Sequence, residues 1–251
     1  MKIIEWNING RSNTNYEVPK FVSQTIIKDV DIVILTEFSS VDDGLIESLK
    51  ESNYTIFYNK IRKEKNKILI GVKNEIISHS NSIKVNETMN NPHGDEEPNF
   101  LEIEVEINNK KITIVGSRIR DGKELFKKEQ FNTLKNHLEK IKGATVCAGD
   151  FNVWSSYIMR TWRLKPDNYQ FYTPWYSGGF KNPDTWSHVG KSLYKSLIDH
   201  FITRDIELYN VGYIWDFVNV ENGYGSLQPE DYKSDLKGYP DHAILQANLK
   251  L

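Results

Sequence analysis

One stretch decides the fold of this chain: Asp31-Ile32-Val33-Ile34-Leu35-Thr36-Glu37-Phe38. It is a continuous apolar run that stops at a carboxylate, and this pattern predicts a buried β-strand with Glu37 at its end. A second β-prone run begins at Lys2, and apolar positions at helical spacing predict an amphipathic helix from Val18 to Lys28 between the two strands. Strand, helix and strand in this order indicate a βαβ-like or mixed-sheet unit whose strand ends gather on one side.

Length and composition are those of an ordinary soluble globular protein. The chain has 251 residues, of which 39% are hydrophobic and 26% charged, and no repeat or flexible linker divides it, so we expect a single domain over residues 1–251. The net charge of -2 gives no overall attraction to a polyanion, so such a partner must be bound by local patches or metal ions. The single cysteine, Cys147, lies in a β-prone run and is predicted to be a buried, inert thiol.

No apolar run approaches the length of about 20 residues that a membrane-spanning helix needs. The sequence from Met1 to Trp6 also lacks the long apolar segment of a signal peptide. We therefore expect a cytoplasmic (intracellular) protein without membrane contact.

Polar side chains follow several predicted strands. The tetrapeptide Gly149-Asp150-Phe151-Asn152 comes directly after the β-prone run 144–148, and taken alone it favours a plain turn, because Asp and Asn bond to nearby backbone. Asn7 and Asn9 end the first strand, two residues apart and so on one face, although an asparagine-rich turn is the alternative there. A Glu37 carboxylate converging with both amides is an oxygen-rich site suited to Mg²⁺.

The other elements are predicted from periodicity and turn residues. Helices are expected at Asp43–Glu51 and Lys123–Lys142, and extended loops from Trp154 to Gly190. Strands are expected at Tyr54–Asn59, Lys67–Lys73, Phe100–Ile107, Lys111–Ser117 and Lys195–Thr203, with Asn108-Asn109 as a hairpin turn and a last strand after His242.

Charged residues in or after strands need partners. Asp199 lies within an apolar strand, where a carboxylate is costly to bury unless it is paired. Arg118 and Arg120 follow a strand end, and on the same rim as Glu37 they would hold a phosphate through forked hydrogen bonds. The alternative for both arginines is an exposed surface position.

Five motifs follow one another along the chain: Trp6-Asn7-Ile8-Asn9-Gly10, Leu35-Thr36-Glu37, Gly149-Asp150-Phe151-Asn152, Ser196-Leu197-Ile198-Asp199-His200-Phe201 and Pro240-Asp241-His242. In identity, order and spacing they resemble the endonuclease/exonuclease/phosphatase superfamily, the group of deoxyribonuclease I, exonuclease III and the abasic-site endonucleases. The resemblance covers nearly the whole chain. It implies an α/β (α+β) fold, a four-layered sandwich of two mixed β-sheets packed face to face with helices outside, and Mg²⁺- or Mn²⁺-dependent phosphoester hydrolysis.

The resemblance also implies a metal cluster. Glu37 would be the principal ligand of the cation, with Asn7 and Asn9 beside it, and Asp241 would belong to the same cluster. Glu37 supplies the hard oxygen that such a cation prefers.

The same resemblance assigns the catalytic roles. Asp150 would position or deprotonate the attacking water, and Asn152 would hold the phosphate. His242 would contact a phosphate oxygen and stabilise the transition state, with Asp199 as the acid that orients it. A phosphodiester repels an anionic nucleophile, so the site must neutralise charge and orient a water in line, as these groups would do.

Two positions depart from the family pattern. Arg118 stands where family nucleases commonly carry His or Tyr, and an arginine cannot act as a general acid near neutral pH. It can neutralise charge on the leaving group, so protonation would fall to water or to a metal-bound group. Pro240 stands where a serine often precedes the Asp-His pair, which changes loop rigidity more than chemistry.

Aromatic and basic residues alternate after the Asp150 motif, a pattern that stacks bases and follows a phosphate backbone. A hydrophobic loop packed on the sandwich is the alternative. We expect a nuclease acting on DNA more than RNA, without an obligate protein partner; the alternatives are a small phosphodiesterase or phosphatase, and a catalytically silent binding module. The residues expected to bind substrate are Arg11, Arg120, Trp154, Arg160 and Trp162.

Overall fold

Two six-stranded β-sheets pack face to face and form the centre of the protein. The computed structural model describes residues 1–12, 17–39, 44–60, 67–78, 84–86, 99–163, 169–174, 186–190, 195–215, 217 and 240–251. The strands are β1 (Lys2–Asn7), β2 (Ile32–Phe38), β3 (Tyr54–Tyr58), β4 (Lys67–Lys73), β5 (Lys84–Asn86), β6 (Asn99–Ile107), β7 (Lys110–Arg118), β8 (Thr145–Asp150), β9 (Tyr169–Tyr172), β10 (His188–Val189), β11 (Lys195–Ser196), β12 (Asp199–Arg204), β13 (Glu207–Ile214) and β14 (Ile244–Lys250).

Both large sheets are mixed. The first has the order β13-β14-β1-β2-β4-β3, and within it only β1 and β2 run parallel among the described strands. The second has the order β5-β6-β7-β8-β12-β9, with β7 and β8 as its parallel pair. The short strands β10 and β11 form a separate antiparallel ribbon.

Helices cover the outer faces of the two sheets. The first sheet packs Trp6 and Leu35 against the helices between residues 17 and 51, and the second packs Val115 against Phe131 and Leu134 of the helix Glu124–Leu138. The predicted four-layered sandwich is therefore confirmed. The helices are α1 (Glu17–Phe21), a π-helical turn (Val22–Ile26), α2 (Ile27–Asp29), α3 (Gly44–Glu51), a 3-10 turn (Asn74–Ile76), α4 (Glu124–Leu138) and α5 (Ser155–Arg163).

Alternation along β1 places polar groups between the sheets. Ile4 and Trp6 pack toward the helices, whereas Ile3 lies in the core between the sheets, and Glu5 and Asn7 follow it on that face. Asn7 therefore lies at the end of the interface between the two sheets, where it reaches the second sheet. Among the described helices, none combines the length and apolarity that a membrane crossing requires.

Two glycines allow close approach of the backbone, one between the two sheets and one between neighbouring strands of the second sheet. A Cβ added to Gly116 of β7 would lie 2.5 Å from Ile68 Cγ2 on the opposite sheet, so the sheets meet closely at this point. A Cβ added to Gly149 of β8 would lie 1.7 Å from the backbone oxygen of Ser117. Only glycine fits at position 149, immediately before the Asp150 carboxylate.

The segment after Asn152 differs from the prediction of extended loops. It contains helix α5 and strand β9, and β10 lies near its end. Ile158 is fully buried against the core beneath α4, and the Tyr157 ring packs edge-on against Phe131 at 5.8 Å. Apolar and aromatic side chains here cover the second sheet, which requires regular secondary structure.

Two smaller differences concern element boundaries. The predicted strand Lys195–Thr203 is two strands, because β11 pairs with β10 whereas β12 begins at Asp199 and pairs with β8. Helix α4 ends at Leu138, four residues before Lys142. The Asn108-Asn109 hairpin turn is confirmed, with φ of 50° and 61°, and Cys147 is buried as expected.

Candidate active site

Strand ends from both sheets meet at one edge of the sandwich. Asn7 ends β1, Glu37 is the penultimate residue of β2, and Asp150 ends β8. Asp199 starts β12 directly opposite Asp150, and His242 precedes β14. Backbone contacts fix the loops here, since Gly10 donates to the carbonyl of Glu37 at 2.9 Å.

Three polar residues of this edge have left-handed backbone conformations, which are uncommon for residues other than glycine. The φ angles are 46° at Asn9, 53° at Glu37 and 48° at Asn152. At Glu37 the conformation accompanies a break in the pairing of β2 with β4, after Leu35. The strand end is thereby turned, and the surrounding structure holds these side chains in place at a local conformational cost.

Asp150 is the centre of the hydrogen-bond network. Its carboxylate is buried and accepts hydrogen bonds from Asn7 Nδ2 at 3.0 Å and from Asn152 Nδ2 at 3.0 Å. The backbone N–H of Asn152 donates to Asp150 Oδ1 at 3.0 Å, and Asn152 Nδ2 also donates to the carbonyl of Ile119 at 2.8 Å. Asn152 therefore holds the Asp150 carboxylate, in addition to any contact it makes with substrate.

The protonation of Asp150 is balanced near neutrality. Burial raises its pKa to about 7, and the Asp199 and Glu37 carboxylates act in the same direction, whereas His242 and Arg118 oppose them. A carboxylate with a pKa near the working pH accepts and releases a proton readily, as a general base must.

His242 and Asp199 form a buried pair. His242 Nδ1 lies 3.1 Å from Oδ1 and 3.0 Å from Oδ2 of Asp199, and the backbone oxygen of His242 accepts a hydrogen bond from Trp6 Nε1 at 3.0 Å. Burial opposes a charge on His242, but the carboxylates of Asp199, Asp150 and Asp241 outweigh it and raise the pKa to about 10. These carboxylates favour the protonated ring, which Asp199 orients, and the partner that Asp199 was predicted to need is His242.

Arg118 points into the site and pairs with Glu37. Both Nε, at 2.7 Å, and Nη2, at 2.6 Å, contact the same oxygen, Glu37 Oε1, and both side chains are mostly buried. Asn7 Nδ2 donates to this oxygen as well, at 3.1 Å. The arginine is therefore neither solvated on the surface nor free on the rim: its guanidinium compensates the carboxylate predicted to hold the metal.

The residues around Glu37 fit a hard divalent cation. Glu37 offers a partly exposed carboxylate, and the nearby Asp150 carboxylate adds oxygen donors. The Asn7 amide turns its nitrogen to both carboxylates, and its oxygen accepts from the backbone of Asn9. Glu37 is the residue that would hold Mg²⁺ or Mn²⁺, and its role as a ligand, like that of Asn7, stays a prediction.

Asn9 and Asp241 lie together at the rim. Asn9 Nδ2 donates to Asp241 Oδ1 at 3.1 Å, and the backbone N–H of Asn9 donates to Asn7 Oδ1 at 2.9 Å. Asp241 Oδ2 lies 3.8 Å from His188 Nε2. In the described structure Asp241 thus belongs with Asn9 and His188, so its predicted place in one cluster with Glu37 is not seen as a direct contact.

The five residues expected to bind substrate are spread around the edge. Arg11 Nη1 donates to the carbonyl of Asn9 at 3.2 Å, Arg120 has an exposed side chain, and Trp154 is 44% exposed. Arg160 lies on α5 with its guanidinium 5.8 Å from the centre of the Tyr157 ring. Trp162 is in the same helix, and its side chain lies outside the part of the structure that is described.

The sequence did not indicate three residues of this region. Glu5 is fully buried below the site and accepts a hydrogen bond from Thr36 at 3.0 Å; burial, then Asp199, raises its pKa well above the usual range. Ser187 Oγ accepts hydrogen bonds from the backbone of Ile198 at 2.9 Å and of Asp199 at 3.2 Å. Glu5 could have been found from the sequence, because it is a charged residue inside the apolar run of β1, and the same signal indicated Asp199.

His188 is the third of these residues. Its ring lies 4.6 Å from the ring of His242, centre to centre, and its Nδ1 is 2.9 Å from Ser196 Oγ. Burial, then the charge of His242, lowers its pKa below the usual range. Its two-residue strand has no sequence pattern that distinguishes it from a loop.

Comparisons with known proteins bear on the family and the fold of the chain. A sequence model of the Endonuclease/Exonuclease/phosphatase family matches residues 4–235. No curated protein sequence matches the chain significantly.

Solved structures share the fold at low identity. D. rerio TDP2 complexed with single-strand DNA product has a TM-score of 0.73 at 15% identity, over 100% of this chain and 99% of that one. ANGEL2, a 2′,3′-cyclic phosphatase, has 0.69 at 13%, over 99% and 94%. The mannosyl-6-phosphatase of Bacteroides thetaiotaomicron VPI-5482 has 0.66 at 11%, over the whole of both chains. Similarity at this level establishes the fold alone.

Proposed function

Because this chain belongs to the endonuclease/exonuclease/phosphatase family, whose members are phosphoesterases, we propose that it is a divalent-metal-dependent nuclease that hydrolyses phosphodiester bonds. The observation that carries the proposal is the convergence of Asp150, Glu37 and the Asp199–His242 pair in one connected network. Three carboxylates and a cationic imidazole at the mouth of a sandwich have no evident structural purpose, since burying them is costly.

Asp150 is suited to activate the water. Its carboxylate is fixed by Asn7 on one side and Asn152 on the other, so the proton-accepting oxygen has a defined direction. Its pKa near 7 allows it to take a proton from water as the nucleophile attacks phosphorus in line. When bound at Glu37, Mg²⁺ or Mn²⁺ supplies positive charge that offsets the phosphate and lowers the barrier to attack.

His242 is suited to stabilise the phosphate as charge develops. Its Nδ1 side is committed to Asp199, and its Nε2 lies 3.4 Å from Asn7 Nδ2. Both atoms are donors when the ring is protonated, so the Nε2 proton is left for a phosphoryl oxygen. An oriented imidazolium donates to a phosphoryl oxygen without reorganising at the moment of reaction. Asp199 acts through His242 and fixes its orientation, as Ser187 does for the backbone of Asp199.

Arg118 contributes positive charge rather than a proton. Its guanidinium stays protonated at any working pH, so it neutralises charge near Glu37 and the leaving group without acting as an acid. The leaving oxygen then takes its proton from solvent. This predicts a preference for leaving groups that are stable as anions.

A nucleic acid is the substrate that we favour, DNA more than RNA. Trp154 follows the Asp150 motif with an exposed ring. The basic side chains of Lys128 and Arg160 lie over the half-buried ring of Tyr157 at 5.2 and 5.8 Å. Proteins bind single strands by stacking bases on an exposed aromatic ring and by contacts of basic side chains with phosphate. The complex of D. rerio TDP2 with single-strand DNA product supports this choice.

A small phosphoester is the second candidate. The net charge of -2 provides no general attraction to a polyanion, and two structural neighbours are phosphatases. The same catalytic groups would act on such a substrate, so the two candidates differ only in what surrounds the site.

The test is hydrolysis by purified protein with Mg²⁺ or Mn²⁺. The substrates are single-stranded DNA, intact and nicked duplex DNA, RNA, a chromogenic phosphodiester and a sugar phosphate, with His242→Ala as the matched inactive variant. We expect single-stranded or nicked DNA to be cut fastest and His242→Ala to be at least a hundredfold slower. Faster turnover of the sugar phosphate would favour the second candidate. Binding of DNA without turnover, equal in both proteins, would contradict a hydrolase.

A further inference from the structure

We propose that His188, Asp241 and His242 form a second cation site, suited to a borderline transition-metal ion such as Zn²⁺, beside the oxygen-rich site at Glu37. Each of the three residues offers one ligand atom, and these atoms all lie within 4.8 Å of one another. A metal ion of this class binds three protein ligands at about 2.0–2.2 Å each, so its ligand atoms lie a few ångströms apart.

The backbone fixes the spacing of the two imidazoles. His188 and His242 are opposite each other in an isolated antiparallel bridge. The Val189 N–H donates to the carbonyl of Asp241 at 3.1 Å, and the Ala243 N–H donates to the carbonyl of Ser187 at 2.7 Å. The positions of both rings therefore follow from main-chain hydrogen bonds, which is the rigidity that a binding site requires.

Each imidazole is oriented by a partner on its other nitrogen. Nδ1 of His242 is held by Asp199 at 3.0 Å, and Nδ1 of His188 is held by Ser196 Oγ at 2.9 Å. Nε2 is therefore the nitrogen that each ring has left for a ligand: that of His188 lies 3.8 Å from Asp241 Oδ2, and that of His242 lies 3.4 Å from Asn7 Nδ2. Metal-binding histidines almost always have such a partner on the second ring nitrogen, because it fixes the tautomer and the ring orientation.

Asp241 completes the set. Its Oδ1 accepts from Asn9, which leaves Oδ2 beside His188 Nε2 at 3.8 Å, too long for a hydrogen bond. The side chains of His188 and Asp241 are 23% and 29% exposed, so an ion can enter from solvent. Two imidazoles and one carboxylate suit Zn²⁺, Co²⁺ or Ni²⁺, whereas Mg²⁺ prefers oxygen ligands alone.

This site has a consequence that rests on the proposed function. A metal ion on Nε2 of His242 replaces the proton that would be donated to the phosphate. A transition metal at this site therefore inhibits hydrolysis, even when Mg²⁺ saturates Glu37. His188 takes no part in the proposed chemistry, so its removal separates inhibition from catalysis.

The test uses Co²⁺ as a spectroscopic probe, added to the protein in excess Mg²⁺. We expect visible d–d absorption that Zn²⁺ abolishes, that is lost in His188→Gln, and that persists in Glu37→Gln. His137→Gln, a histidine change paired with Glu102 away from the site, is the matched control and should keep the absorption. Thermal unfolding without metal checks folding, and Asp241→Asn replaces His188→Gln if the latter unfolds.

Absorption that is absent from wild type, or unchanged in whichever of His188→Gln and Asp241→Asn is the folded variant tested, would overturn the site. With an active protein, His188→Gln should need at least tenfold more Zn²⁺ for half-inhibition than wild type, and an equal requirement would overturn the inhibitory role. If wild type hydrolyses nothing, the proposed function fails, whereas the Co²⁺ spectra still decide the site.

Discussion

Replacing Asp199 by Asn removes the charge that holds His242 as an imidazolium. Nδ1 of His242 lies 3.0 Å from the Asp199 carboxylate, and the two side chains are only 7% and 0% exposed. Burial would lower the pKa of His242, so its rise from 6.5 to about 10 comes from surrounding carboxylates, Asp199 first. This rise corresponds to about 5 kcal/mol in favour of the charged ring.

Without that carboxylate, burial dominates and the ring of His242 becomes neutral at pH 7. We expect kcat of Asp199→Asn on a chromogenic phosphodiester to fall about a hundredfold or more, the usual range for losing a positioned proton donor. The His242 ring signals in NMR spectra should remain those of an imidazolium up to pH 8 in wild type, but not in the variant.

The matched control is Asp205→Asn, the same change at the other end of β12, where the side chain is 55% exposed. It should retain wild-type kcat. An Asp199→Asn protein that keeps more than a third of wild-type kcat, or whose His242 stays charged at pH 8, would refute the reasoning.

Three further predictions follow from single contacts. Gly149→Ala should lower the free energy of unfolding by about 3 kcal/mol or more, because its Cβ would lie 1.7 Å from a backbone oxygen. The control is Gly122→Ala, whose Cβ would meet a ring carbon at 3.5 Å. Equal free energies of unfolding for the two variants in urea melts would contradict this prediction. Burial lowers the pKa of His200 to about 4, so its contribution to stability is complete above pH 6.5 and lost as the pH falls toward 4. Wild type should therefore lose free energy of unfolding between pH 7.5 and pH 4.5, and His200→Leu should lose about 2–3 kcal/mol less over the same range. An identical loss in both proteins would exclude this role for His200. Arg118→Ala should reduce kcat but leave Mg²⁺ affinity, measured by calorimetry, unchanged or higher, because it removes a cation from Glu37. An unchanged kcat would show that the arginine is dispensable.

The sequence predicted the parts of the site that strands position. Asp150 and Asn7 end strands with clear apolar patterns, and parallel pairing with neighbouring strands fixes where their side chains point. Asp199 was expected to need a partner because it lies in an apolar run, and the structure provides His242. These positions follow from local pattern and sheet geometry.

Other parts depend on tertiary contacts that local patterns do not contain. The Arg118–Glu37 ion pair joins residues 81 positions apart, on different sheets, through a long flexible side chain. His188 reaches the site through a two-residue strand, which is too short for a periodic signal. Helix α5 was predicted as loop because its aromatic composition obscured the helical spacing of residues that cover the second sheet.

The most direct measurement of the central claim is the turnover of Asp150→Asn with Mg²⁺ on the best substrate of wild type. The side chain would lose its ability to accept a proton. Asn keeps the shape, but its single oxygen can accept at only one of the two positions where the carboxylate now accepts from Asn7 and Asn152. We predict a loss of at least a thousandfold in kcat in a protein that still unfolds cooperatively, whereas Asp205→Asn keeps full activity. Turnover of Asp150→Asn within tenfold of wild type would contradict the assignment of this network as a hydrolytic centre.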